Sequence, residues 1–165
     1  MSRLQETLNF EHAQIHRAKM HHVSSASVAL ADNGSIGLVL SVGADKDLHF
    51  VFGVAGGGRG RVILYEDVTL TSSTLCLTAC SMNREHKAGA CISASFGHTP
   101  VFAVATGSVL LNEIIPGTTG GNKAGGHLRL GAEWIGAEST NYIVAACNLS
   151  GGAAAFSVAV ECYEH

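Results

Sequence analysis

From Val23 onward the apolar residues recur at every second position, the rhythm of a half-buried strand and not the spacing of an amphipathic helix. Ile36, Leu38, Leu40 and Val42 alternate with smaller residues, and Leu48, Phe50, Phe52 and Val54 repeat the pattern. Val62 and Leu64 continue it beyond the glycine break "GGGRGR". Further runs fall at 75–79, 90–96, 101–104, 109–115, 127–130, 141–147 and 156–162, separated by Gly, Ser, Thr or Asn. No amphipathic stretch of ten or more residues lies between them, so parallel crossovers have no helix to travel through. The pattern predicts an all-β chain: an antiparallel β-sandwich, jelly-roll-like, with an N-terminal arm.

The arm is marked by a change of rhythm. Residues 1–22 carry Leu4, Leu8 and Ile15 at roughly helical spacing among four histidines, Arg3, Arg17 and Lys19, with no alternation. So few apolar residues cannot build a core, and the segment must be ordered, if at all, by packing on something else. The predicted division is an arm at 1–22, helical in part or extended, and a sandwich domain at 23–165. At the other end, the two last runs are joined by "NLSGG", whose glycines can take the positive φ of a tight loop, which predicts a hairpin. In its second strand Phe156, Val158, Val160 and Cys162 share the face expected in the core. "VAGGGRGRV" predicts another hairpin or short loop, with Arg59 and Arg61 in solvent.

Composition adds a bias towards assembly. The 165 residues suffice for one domain, and 47% are hydrophobic while only 14% are charged, well under the usual quarter. Such a surface is more readily covered by neighbours than left in water, so a homo-oligomer or docking on a larger surface is expected. A net charge of −3 argues against a nucleic-acid partner, which would require a basic face. No apolar run approaches the ~20 residues that cross a bilayer, and the amino terminus is polar where a signal peptide needs an apolar centre. No membrane partner and synthesis in a cytoplasm are therefore expected. Five cysteines without CxxC spacing, most of them in or beside apolar runs, are expected to be reduced and buried.

Several stretches invite a reading as chemistry. "GTTGGNKAGG" resembles a phosphate loop, but Asn122 separates the glycines from Lys123, Ala124 stands where the hydroxyl belongs, and strand-like "HLRLGAEW" follows in place of a helix. A long connection that touches a partner is the better account. His12 and His16 have the spacing of zinc ligands on a helix, yet no third and fourth ligand accompany them, so no metal is expected. No G-x-S-x-G elbow occurs, and nothing in the spacing of Glu66, Asp67, Glu85, Glu113, Glu133 and Glu138 selects a catalytic pair. Neither an enzyme nor a cofactor site is expected. A sugar-binding module would want exposed aromatic rings, and this chain has one Trp, Trp134.

The order of "EHAQIHRAKMHHVS", "KDLHFVFGV", "VILYEDVTLTSSTLCLTACSMNRE" and "IIPGTTGGNKAGGHLRLGAEWIGAESTNYIVAACNLSGG", closing on "CYEH", resembles the capsid decoration, or cement, proteins of tailed bacteriophages. The most specific portions are "MNRE" and the series "IPG…GG…EWI…TNY", and the resemblance spans nearly the whole chain. It implies a non-enzymatic β-sandwich, commonly a trimer, bound through its arm to the major capsid protein on the outer surface of a phage head. The implied location is the virion, after synthesis in the host cytoplasm. The capsid or subunit contacts it implies are Ile15, His16, Arg17 and Lys19 in the arm, and Thr118, Thr119, Asn122 and Lys123 in the glycine-rich loop. The alternative is a receptor- or carbohydrate-binding sandwich of a phage fibre or tail.

Overall fold

The computed structural model of the protein describes residues 13–15, 17, 19–69, 74–83, 95–99, 107–118, 125–129 and 132–164. Its strands, numbered in chain order, form two sheets. The first holds, side by side, β10 (Trp134–Gly136), β3 (Leu48–Gly56), β12 (Ala154–Glu164), β1 (His21–Leu30) and β6 (Cys80–Ser81), with β9 (Gly126–Arg129) sharing the edge of β3 with β10. The second holds β5 (Thr74–Leu77), β7 (Ser95–Thr99), β2 (Ser35–Ser41), β11 (Asn141–Asn148), β4 (Gly60–Glu66) and β8 (Ser108–Ile115). Every pairing is antiparallel.

The pairings are nested. β1 lies against β12, β2 against β11, β3 against β9 and β10, and β4 against β8. An antiparallel ribbon wrapped in this way is a jelly roll, in which consecutive strands pass from one sheet to the other. β5 and β7 widen the second sheet beyond β2, and β6 extends the first beyond β1.

The period-two pattern does what it predicts. Leu48, Phe50, Phe52 and Val54 point inward from β3, and Phe156, Val158, Val160 and Cys162 from β12. They meet Ile36, Leu38, Leu40, Val62, Leu64, Tyr142 and Val144 of the other sheet in one continuous core. A smaller cluster of Val39, Ile63, Val68, Ile143 and Ala145 lies on the far face of the second sheet, with Tyr65 and Cys147 packed against it.

The expected terminal hairpin is not formed. β11 pairs with β2 and β4, whereas β12 pairs with β1 and β3, so "NLSGG" is a corner between sheets. Alternation tells which side of a strand is apolar but not which strand lies beside it. Here the two apolar sides face each other across the core. The glycine stretch after β3 is likewise a corner, since β3 and β4 belong to different sheets, with Arg59 and Arg61 exposed as expected.

The boundary of the arm also moves. His21 and His22 pair with Cys162 and Glu161 on one side and with Ser81 and Cys80 on the other, so both belong to the sandwich. β1 escapes the periodicity because Ser25 and Ser27 hold inward positions where large apolar residues would announce a strand. The short strands β6 and β10 are also unannounced. Of the run at 90–96 only Ser95 and Phe96 are described, in β7, and the run at 101–104 lies outside the described residues.

Candidate functional site

The sites expected from sequence divide between the two ends of the sandwich. Ile15 is half-buried in a single helical turn, and Arg17 and Lys19 are exposed where the chain approaches the start of β1. The turn is closed by Arg17 N donating to Ala13 O at 3.0 Å and Lys19 N to Gln14 O at 3.0 Å. The Lys19 carbonyl in turn meets His21 Nδ1 at 2.8 Å, which anchors the segment to β1. Thr118 is exposed near the opposite end, and its carbonyl accepts from Arg59 N at 3.2 Å. The two groups are separated by the length of β12, so they do not form one surface spot. His16, Thr119, Asn122 and Lys123 lie outside the described residues. His12 and Glu85 do too.

The end bearing Thr118 is stiffened by polar contacts between corners. Asn148, wholly buried, donates from Nδ2 to the carbonyls of Leu30, Ala31 and Gly152, and its Oδ1 accepts from Ser150 N at 2.9 Å. Leu149 N donates to Arg59 O at 2.9 Å, and Gly151 N to Asp32 Oδ1 at 2.8 Å. The corners after β1, β3 and β11 thus hold one another.

At the other end, two carboxylates engage two tyrosines. The Tyr142 hydroxyl donates to Glu66 Oε1 at 2.8 Å and accepts from Ala137 N at 2.9 Å. Burial, and after it the Glu66 carboxylate, pushes the Tyr142 phenol above its usual range against the pull of the Ala137 N–H. On the outward side of the first sheet the Tyr163 hydroxyl donates to Glu133 Oε1 at 2.6 Å and lies 3.1 Å from His49 Nδ1. The His49 ring stacks on Tyr163 with centroids 4.7 Å apart, and its Nδ1 is 3.3 Å from the Glu133 carboxylate.

This Glu133–Tyr163–His49 group is invisible in sequence, because its members come from β3, the residue before β10, and β12, at unrelated spacings. Within the group Tyr163 is 5% exposed and the imidazole stacks on its ring, while the Glu133 side chain is 46% exposed. Its evident work is to strap the β10 segment to β3 and β12. Of the other candidate carboxylates, Glu66 serves a tyrosine of the second sheet, with Asp67 acting on the same phenol, while Asp67, Glu113 and Glu138 are exposed. Among the described residues, no group of three or more His, Cys, Asp or Glu could hold a metal ion. Trp134 is half-buried against the core and not presented as a stacking platform.

The surface carries apolar side chains that the fold does not use. β8 has β4 as its only neighbour among the described strands, and no described residue pairs with its far edge. Along it Val109 is 55% exposed and Ile114 46%, with Leu110 the extra residue of an irregularity opposite Leu64 and Tyr65. Comparison of the chain with protein-family models, with curated proteins and with solved structures finds no match.

Proposed function

We propose that this protein is a structural virion component: a capsid decoration, or cement, protein that binds the major capsid protein on the outer surface of a phage head and stabilises the shell. The observation that carries the reading is the open edge of β8. An eight-residue strand with Val109, Leu110 and Ile114 turned to solvent is costly to leave uncovered, both as apolar area and as unpaired backbone. Such an edge is a surface for a protein partner, which can add backbone hydrogen bonds and bury the aliphatic side chains.

The rest of the molecule suits that task. A nested jelly roll with interlocked corners is a stiff spacer between contact points, and jelly rolls are common in virion proteins. Ile15, Arg17, Lys19 and Thr118 supply further contacts in this reading, with His16, Thr119, Asn122 and Lys123 completing the set that the family resemblance implies. The same resemblance implies a trimer, and three copies held together multiply a weak contact through avidity.

Cosedimentation of the purified protein with empty heads assembled from the major capsid protein of the same virus tests the proposal. Saturable pelleting with the heads is expected. Ile114→Lys should lower the bound fraction at least tenfold while leaving the circular dichroism spectrum unchanged. Protein that stays in the supernatant at every head concentration overturns the reading.

A further inference from the structure

We propose that Met20, His22, Cys80 and Met82, brought together where β1 meets β6, form a binding site for copper(I). The site does not depend on the capsid reading.

Register sets the four side chains on one face. β6 is two residues long and pairs with the start of β1, His21 across from Ser81 and His22 across from Cys80. Met82 N donates to Met20 O at 2.9 Å, which carries the ladder one pair further. His21 and Ser81, the middle pair, point inward and are buried. Side chains alternate along a strand, so the pairs on either side of it, Met20 with Met82 and His22 with Cys80, turn to the opposite face.

The spacing suits a single ion. Residues across from each other in an antiparallel ladder have Cα atoms about 5 Å apart, and pairs on the same face lie about 7 Å apart along the strands. An ion midway between the pairs is then about 3.5 Å along the strands from each. A cysteine or histidine side chain plus a metal bond of about 2 Å covers that distance. The rotatable bonds of methionine let its sulfur follow.

The donor chemistry selects the ion. Thiolate and thioether sulfur are soft ligands that favour copper(I), imidazole serves copper equally, and zinc sites are built from cysteine, histidine and carboxylates without thioethers. The chain has three methionines, and the two beyond Met1 face each other here. Glu161, across from His22 on β12, already has a partner within the chain, which leaves a set of nitrogen and sulfur alone. Cys80 is exposed, and its thiol makes one weak contact, with Thr78 O at 4.0 Å. An arriving ion can therefore reach it. As the copper–sulfur bond forms, the thiol proton passes to solvent and the copper keeps its oxidation state. The bound ion ties the shortest strand of the first sheet to the root of the arm.

Anaerobic titration of the full chain into the coloured copper(I)–bicinchoninate complex tests the site. Withdrawal of one copper per chain is expected, unaffected by a hundredfold excess of zinc. Cys80→Ser should abolish that uptake, and Met82→Leu and His22→Gln should each weaken it at least tenfold with an unchanged circular dichroism spectrum. In the unaltered protein one equivalent of copper(I) should also slow maleimide labelling of Cys80 at least tenfold, and this measurement carries the test if a variant fails to fold. The proposal is overturned by a chain that takes no copper from the complex, by uptake that survives Cys80→Ser, or by displacement by zinc. Uptake by Met82→Leu and His22→Gln equal to that of the parent would mark a lone thiol, and overturns it too.

Discussion

Asn148 Nδ2 donates to the carbonyl of Leu30 at 2.7 Å, and that bond joins the end of a strand in one sheet to the end of a strand in the other. The same amide group reaches Gly152 O at 2.8 Å and Ala31 O at 3.1 Å, so one side chain satisfies the backbone of two corners. Asn148→Ala removes these bonds from a side chain that is wholly buried, although the accepting carbonyls belong to half-buried or exposed residues. The buried Ser150 N–H left unpaired, together with the lost bonds to the corner carbonyls, should lower stability by about 2 kcal/mol. Urea denaturation followed by intrinsic fluorescence measures the loss, and a change below about 1 kcal/mol would show that the corners hold without the amide.

Gly60 should tolerate no side chain. A Cβ there would press on the Phe156 ring and stand 2.9 Å from the Cys147 carbonyl, which lies on the neighbouring strand and cannot withdraw. Gly60→Ala is expected to cost about 2 kcal/mol by overpacking. In the same experiment Gly53→Ala should be neutral or slightly stabilising, because among the described residues the added methyl group meets His127 Nε2 at 3.5 Å and Leu128 O at 3.8 Å, both ordinary contacts. Equal losses at the two positions would show that packing within the chain excludes a side chain at Gly53 as well.

Alkali should unfold the protein by a definite route. Burial, and after it the Glu164 carboxylate, pushes the Cys162 thiol up to about 12 from its usual 9.0. Burial raises the Cys147 thiol and the Tyr65 and Tyr142 phenols in the same direction. Where the unfolded chain has released a proton that the folded chain retains, stability falls as pH rises. Below pH 9 the Cys162 thiol is neutral in both states and contributes no slope; between 9 and about 12 it contributes a loss of about 1.4 kcal/mol per pH unit. Denaturation midpoints measured across that range should fall, and Cys162→Ala should lower the overall stability but flatten the alkaline slope.

The same burial divides the thiols by reactivity. Cys80 is exposed, against the expectation that all the cysteines are buried, while Cys147 is half-buried and Cys162 fully enclosed. The thiolate is the reacting species, so a thiol held neutral in the core is inert. At pH 8 a maleimide should label Cys80 within minutes and leave Cys162 untouched until denaturant is added, as read by mass spectrometry of the digested protein. Labelling of native Cys162 at the rate of Cys80 would show that β12 opens readily.

Sequence alone determined the period of the chain, and through it the fold class and the inward faces. Phe50, Phe52, Val158 and Val160 could be placed in a core because a strand turns its side chains by half a revolution at each residue. That rule is local, and it is silent on partners. Only the tertiary structure decided that β11 and β12 part at Asn148 into different sheets. Only the structure, too, placed Glu133 beside Tyr163 and His49, and His22 across from Cys80. Those relations depend on which strands lie together and in what register, a choice made by packing over the whole core and not by any short stretch of residues.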